Sequence, residues 1–250
     1  MPPASNSPPA ELPPVAILCG GRGTRLQGHV RELPKPLVEI GELPILWHVI
    51  QLYAAQGFER FLLATGYRGE LIERFVAAHE WPARVRVRCV DTGRDTPTGG
   101  RVKLLEPHLG SERFCLTYAD GLADIDLGAL LSFHRAHGML ATMTVVRPQM
   151  QFGVTELDGD QVLGFHEKPR SEQWINGGFF CLESGSLDYF EVDSVLEREP
   201  LEIMAREGQL HAYRHRGFWE CMDTYKDAIA LNDLWASGEP PWCQATPVPS

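Results

Sequence analysis

Two periodicities alternate along this chain. Val15-Ala16-Ile17-Leu18-Cys19 is an unbroken apolar run closed by Gly20-Gly21, the pattern of a strand buried on both faces. From Ile45 to Gln56 the spacing changes. Ile45, Val49, Leu52 and Tyr53 fall on one helical face, and Gly57 supplies the stop. Phe61 to Ala64 predicts a second buried strand, and Glu70 to Ala78 a helix through Leu71, Ile72, Phe75 and Val76. Arg84 to Val90 alternates residue by residue, as a half-exposed strand does. Phe114 to Tyr118 predicts another buried strand, and Asp126 to His137 a helix closed by Gly138. Strand and helix in repetition predict an α/β fold with a mostly parallel sheet flanked by helices.

After about Arg147 the pattern becomes mixed. Val154 to Leu157 and Val162 to His166 flank Asp158-Gly159-Asp160, a hairpin signal. Phe179 to Leu182 and Leu210 to Arg214 predict further strands, and Thr224 to Trp235 a closing helix. The expected organisation is a Pro-rich disordered tail over 1–14, an α/β core over 15–146, a region of the same domain over 147–242 that completes the site, and a second tail over 243–250. Prolines and small polar residues dominate both ends, the second from Pro240 onward.

Composition narrows the function classes. Of 250 residues, 44% are hydrophobic and 22% charged, with a net charge of -10. That balance argues against non-specific binding to nucleic acid or to an anionic membrane. Nineteen of the twenty-three basic residues are arginine, so each of the four lysines (Lys35, Lys103, Lys168, Lys226) merits inspection. The six cysteines are scattered, without the spacing of a zinc site, and read as reduced residues of a cytoplasmic protein. Neither a signal peptide nor a run long enough to span a bilayer is expected.

Candidate chemistry begins directly after the first strand. In Gly20-Gly21-Arg22-Gly23-Thr24-Arg25-Leu26, three glycines let backbone N–H groups approach phosphate oxygens, and Arg25 adds a forked cation. The loop lacks the G-x-x-x-x-G-K-[ST] of a P-loop, and Leu26 stands where a dinucleotide fingerprint needs its third glycine. A tight turn without a ligand is the competing reading. In Leu33-Pro34-Lys35-Pro36-Leu37, prolines on both sides stiffen the chain and present the lysine.

Leu18 to Leu26 followed by Pro34-Lys35-Pro36-Leu37 resembles the signature of the sugar-1-phosphate nucleotidyltransferases. Val38 to His48 is similar to the glucose-1-phosphate cytidylyltransferases among them. Further stretches agree in order: Asp91-Thr92-Gly93, Thr98-Gly99-Gly100-Arg101, Tyr118 to Asp124, Glu167-Lys168-Pro169, Asn176 to Phe179, and Gly217 to Thr224. The resemblance implies a Rossmann-like sheet with a mixed-strand C-terminal sugar-binding region. It also implies a reaction in which CTP and a sugar 1-phosphate give a CDP-sugar and pyrophosphate, with Mg2+ as cofactor. Leu18, Gly20, Gly21, Gly23, Thr24, Arg25, Lys35, Thr92, Thr98, Gly99, Arg101 and Ala119 would then bind nucleotide. Arg25, Lys35 and Asp120 would serve the transfer, and Asp120 and Asp223 would hold the metal. Tyr118, Glu167, Lys168, Asn176, Gly178 and Trp219 would bind the acceptor. Base choice is expected from a polar, glycine-rich loop over Asp91–Arg101, since the glutamines and Gly-Leu-Ala core of the thymidylyltransferases are missing. A homo-oligomer is expected.

Other readings stay open for several of these residues. Asp120 precedes Gly121 and could be a turn residue, Asn176 likewise, and Asp223 could cap the helix from Thr224. Asp124 and Asp126 read as turn and N-cap residues. The Trp81–Cys89 segment is shorter than in glucose-1-phosphate cytidylyltransferases, which keeps a different sugar phosphate, or a small non-sugar phosphate or phosphonate, as an alternative acceptor. A non-catalytic nucleotide sensor would be expected to lack Asp120, Asp223, Lys35 or Lys168, and all are present.

Overall fold

A computed structural model of the protein describes residues 11–21, 33–110 and 113–243. In chain order it contains β1 (Val15–Leu18), β2 (Glu39–Ile40), β3 (Leu43–Pro44), α1 (Ile45–Ala54), β4 (Arg60–Thr65), α2 (Gly69–Ala78), β5 (Arg86–Asp91) and α3 (Thr98–Leu109). There follow β6 (Phe114–Tyr118), β7 (Gly121–Ala123), α4 (Leu127–His137), β8 (Ala141–Val146), β9 (Val154–Asp158), β10 (Gln161–His166) and β11 (Ile175–Leu182). The chain closes with α5 (Glu199–Arg206), β12 (Leu210–Arg214), β13 (Trp219–Cys221) and α6 (Tyr225–Ala236).

Seven strands form one sheet in the order β12-β8-β11-β6-β1-β4-β5. Every pairing is parallel except those of β11, which runs against both β6 and β8. Of the strands after residue 147, β11 and β12 extend the N-terminal sheet, whereas β9 pairs with β10 and β13 with β7 in separate two-stranded sheets. Alternation along each strand feeds two cores. Val15, Ile17, Phe61 and Leu63 face α1 and α4, whereas Ala16, Leu18, Leu62 and Ala64 face α3. The β9–β10 hairpin turns at Asp158-Gly159-Asp160 as the sequence predicts, and β9 is exposed along its whole length.

The chain moves from β1 outward through β4 to β5, then returns to the other side of β1 with β6. Such reversals open a crevice at the carboxyl ends of the strands, where ligands of α/β sheets bind. Leu18 pairs with Tyr118 in register, so Gly20 and Asp120 leave the sheet side by side.

Three expectations need correction. The tail over 1–14 does not extend to its last residues, because Pro13 and Pro14 are buried and Pro14 accepts a hydrogen bond from the Cys115 amide. Residues 1–10 and 244–250 lie outside the described residues. The polar segment from Pro240 also packs: Trp242 is buried, stacks on Trp235 and donates its indole N–H to His48 Nδ1. Finally, Thr98-Gly99-Gly100-Arg101 is the first turn of α3 and not a loop. Val102, Leu105 and Leu109 form its buried face, while the two glycines let Val192 and Ser194 pack against the helix backbone where a Cβ would collide.

Candidate active site

The crevice is a cavity of about 460 Å³. Leu18, Cys19, Gly20 and Gly21 line it from β1, and Tyr118, Ala119 and Asp120 from β6. Lys35, Arg101 and Asp223 reach it from three other elements. Lys35 opens a single 3-10 turn whose shape is set by Pro34 and Pro36, and the Leu37 amide bonds the Pro34 carbonyl at 2.8 Å. Its ammonium pairs with Asp120 Oδ2 and, at 2.7 Å, with Asp223 Oδ1. Burial works against the Lys35 charge, but the two carboxylates outweigh it and raise its pKa.

A short ribbon joins these carboxylates. β13 pairs with β7 so that Cys221 lies opposite Gly121, and the Met222 amide donates to the Asp120 carbonyl at 2.9 Å. The helix-cap alternative for Asp223 fails, because Thr224 caps α6. Its hydroxyl accepts from the Asp227 amide, and Asp227 Oδ2 accepts from the Thr224 and Asp223 amides. The Asp223 carboxylate is left to face Lys35. Asp126 is the N-cap of α4, as its position predicts, and Asp124 pairs with His215 at 2.9 Å.

Arg101 lines the floor, yet its hydrogen bonds face the protein. One guanidinium nitrogen donates to Thr65 O at 3.0 Å, Thr92 Oγ1 at 2.7 Å and Gly93 O at 2.9 Å. The other donates to Gly20 O at 3.0 Å and Arg94 O at 3.4 Å. These acceptors lie at the last residue of β4 and just past the ends of β1 and β5, so Arg101 clamps the strand ends that shape the cavity. Gly20 is required here, since a Cβ would run into the guanidinium carbon. Thr92 is buried against this clamp and Gly99 against Ser194, so neither lines the cavity, whereas Thr98 does. Gly23, Thr24 and Arg25 lie outside the described residues.

A second wall comes from Tyr118. Its hydroxyl donates to Glu197 Oε1 at 2.6 Å and accepts from Asn176 Nδ2 at 3.1 Å. Burial, then the Glu197 carboxylate, push the phenol pKa up and keep it a donor. Asn176 Oδ1 accepts from the Gly178 amide, and Trp219 donates to the Gly177 carbonyl at 2.8 Å. Tyr118, Asn176, Gly178 and Trp219 therefore meet. Glu167 and Lys168 follow the β9–β10 hairpin and do not line the cavity; Lys168 pairs with Glu167 at 3.4 Å. Lys168 also holds a left-handed φ of 45°, which costs a residue with a Cβ roughly 1–2 kcal/mol.

Two residues that the sequence reading passed over belong here. Glu197 joins Thr98 Oγ1, at 2.7 Å, to Tyr118. Cys221 sits beside the two carboxylates. Chemically, two carboxylate oxygens converging on an ammonium make a site already shaped around a cation. Such a donor pair fits a hard divalent ion that retains waters. The same lysine, with the Gly20-Gly21 backbone, can neutralise phosphate charge.

Several known proteins resemble this chain. HddC from Yersinia pseudotuberculosis superposes with a TM-score of 0.71 at 22% identity, covering 90% of this chain and all of its own, which establishes a shared fold. A glucose-1-phosphate cytidylyltransferase of Salmonella typhi is 39% identical over 249 residues, covering 90% of this chain and 97% of its own. The mannose-1-phosphate guanylyltransferase catalytic subunit beta of Danio rerio is 31% identical over 222 residues, 85% of this chain and 62% of its own. The family model described as nucleotidyl transferase matches residues 15–227. That span starts at the first residue of β1 and ends within α6, so it contains the lysine and both carboxylates, and the chain belongs to the nucleotidyl transferase family.

Proposed function

We propose that the protein makes a CDP-sugar from CTP and a sugar 1-phosphate, with α-D-glucose 1-phosphate as the acceptor. The observation that carries this reading is the Lys35–Asp120–Asp223 constellation at the carboxyl ends of β1 and β6, beside the Gly20-Gly21 backbone. The choice of CTP and glucose 1-phosphate follows the relative at 39% identity. An acceptor phosphate oxygen attacks the α-phosphorus in line. The new P–O bond forms as the bond to the β-phosphate breaks, and pyrophosphate leaves. Little covalent help is needed, and positioning with charge neutralisation supplies most of the acceleration.

Asp120 and Asp223 would hold Mg2+, which when bound offsets phosphate charge. Lys35 stabilises the charge that grows on the transferring phosphoryl group, and Arg25 and the backbone of Gly20 to Thr24 cradle the triphosphate. Arg101, Thr92, Thr98, Gly99, Leu18 and Ala119 shape the nucleotide side within 15–146. Tyr118, Asn176, Gly178 and Trp219 orient the acceptor with Glu167 and Lys168 from 147–242. The strained backbone at Lys168 supports a site role, since such strain collects at functional positions. A homo-oligomer in the cytoplasm is part of the proposal. Among the described residues no helix is long and apolar enough to cross a membrane, which is compatible with that location.

The test is pyrophosphate release from a panel of four nucleoside triphosphates and several phosphorylated acceptors, with and without EDTA. CTP with glucose 1-phosphate should give the highest kcat/KM, and EDTA should abolish it. Preference for dTTP would overturn the cytidylyl assignment. Preference for a non-sugar phosphate or phosphonate would favour the alternative suggested by the short Trp81–Cys89 segment.

A further inference from the structure

We propose that Cys221 gives the metal centre a soft third ligand, so that thiophilic divalent cations such as Zn2+, Cd2+ and Co2+ bind there and displace Mg2+. The inference rests on the reading of Asp120 and Asp223 as metal carboxylates and adds a ligand to it. The sulfur of Cys221 and one oxygen from each carboxylate lie within 4.8 Å of one another, and among the described residues no other set of three or more such groups meets this condition. The ribbon explains the grouping. Cys221 ends β13 opposite Gly121, the residue after Asp120, and Asp223 follows Cys221 by two residues. A separate observation marks the same point as a cation position: the Lys35 ammonium lies on both carboxylates.

Two oxygens alone suit Mg2+, which keeps most of its waters. Adding a thiolate changes the ranking, because sulfur ligands select zinc and its neighbours over magnesium. Binding breaks the S–H bond, forms a metal–sulfur bond and delivers one proton to solvent. Substitution of magnesium by such an ion would fix the centre in a tighter, less labile state, so a phosphate-transfer site becomes sensitive to trace zinc.

The test is titration of Co2+ and Cd2+ into the substrate-free protein, wild type and Cys221→Ser, reading the thiolate-to-metal charge-transfer band in the ultraviolet. Cys243 is exposed, so both forms also carry Cys243→Ser. Wild type should develop the band at one equivalent with one proton released. In Cys221→Ser the band should vanish and affinity should fall about tenfold or more, at least the loss seen when a ligand's supporting partner is removed. Zn2+ added over excess Mg2+ should inhibit wild type reversibly, and the Cys221→Ser variant should need about tenfold more. Absence of the band in wild type, or its survival in Cys221→Ser, overturns the proposal and leaves the carboxylate reading intact if turnover still requires Mg2+. Full Mg2+-dependent turnover in Asp120→Asn would strike the carboxylate reading instead.

Discussion

Replacing Arg101 with alanine separates two roles for that residue, reader of the base or clamp beneath the cavity. Its guanidinium reaches four acceptors at 2.7–3.0 Å, drawn from the ends of β1 and β4 and from the Thr92-Gly93 turn after β5. Thr65 O keeps the Thr92 amide and hydroxyl after the change, and Gly20 O keeps the Tyr67 amide. Gly93 O, which is part-buried, would lose its Arg101 donor. A lost hydrogen bond from a charged donor costs about 1.5–3 kcal/mol, and leaving the part-buried carbonyl unpaired adds to that. Water entering from the cavity recovers part of this, so a loss of about 3 kcal/mol is expected. For a domain this size that corresponds to a fall in Tm of roughly 6–12 °C. Arg101→Lys should recover little, since one ammonium cannot span the fork. Differential scanning calorimetry on both variants, with kcat/KM for CTP and UTP, provides the check. Unchanged Tm with relaxed nucleotide preference would refute the clamp and restore base reading.

Gly20→Ala should disable the same clamp from its other side, lowering Tm and turnover together, and normal values for both would show that Arg101 can move aside. Lys168→Ala should raise the acceptor KM by one to two orders of magnitude, the value of a charge-assisted phosphate contact of about 1.5–3 kcal/mol, and leave CTP binding nearly unchanged. Lys35→Ala should depress kcat instead, and calorimetry of CTP with initial-rate acceptor titrations would expose any failure of that division. Burial lowers the His134 pKa to about 4 from an ordinary 6.5, against the pull of Glu183. Its neutral form is therefore favoured in the folded state, so its contribution is complete above pH 6.5 and lost as pH falls toward 4. Roughly 1–3 kcal/mol should disappear across that window, read as urea midpoints at several pH values, and a flat profile would contradict it.

Strands β1, β4 and β6 were legible because strands buried on both faces leave unbroken apolar runs that little else imitates. Helix α3 was not, because Gly99-Gly100 at its start and Pro107 near its end look like loop residues. The glycines answer to the Val192–Ser194 segment, which is remote in sequence. The same distance hides Glu197, whose partners Tyr118 and Thr98 lie 79 and 99 residues away. Asp223 could be read only through its motif, since its neighbour Thr224 carries the helix signal. Pro13, Pro14 and Trp242 were hidden for another reason: proline-rich composition argues for disorder on average, and one buried indole with a hydrogen-bonded His48 is enough to dock such a segment.

The charge around the cavity leads to one more prediction. Lys35 and Arg101 bring two positive charges, and Asp120 and Asp223 cancel them. The whole chain carries -10. A triphosphate entering this neutral crevice gains no net attraction from the described side chains, and Arg101 is already committed to carbonyls. Backbone amides contribute only partial charges. Positive charge must therefore arrive with the nucleotide, as a divalent cation on Asp120 and Asp223, or come from Arg22 and Arg25, which lie outside the described residues. The two sources separate by titration. If the cation dominates, CTP affinity should fall at least about tenfold in EDTA, equivalent to about 1.4 kcal/mol, while affinity for uncharged cytidine stays constant. Arg25→Ala should then weaken CTP further in both conditions. Equal CTP affinity with and without EDTA would refute the charge argument, whatever the effect of EDTA on turnover.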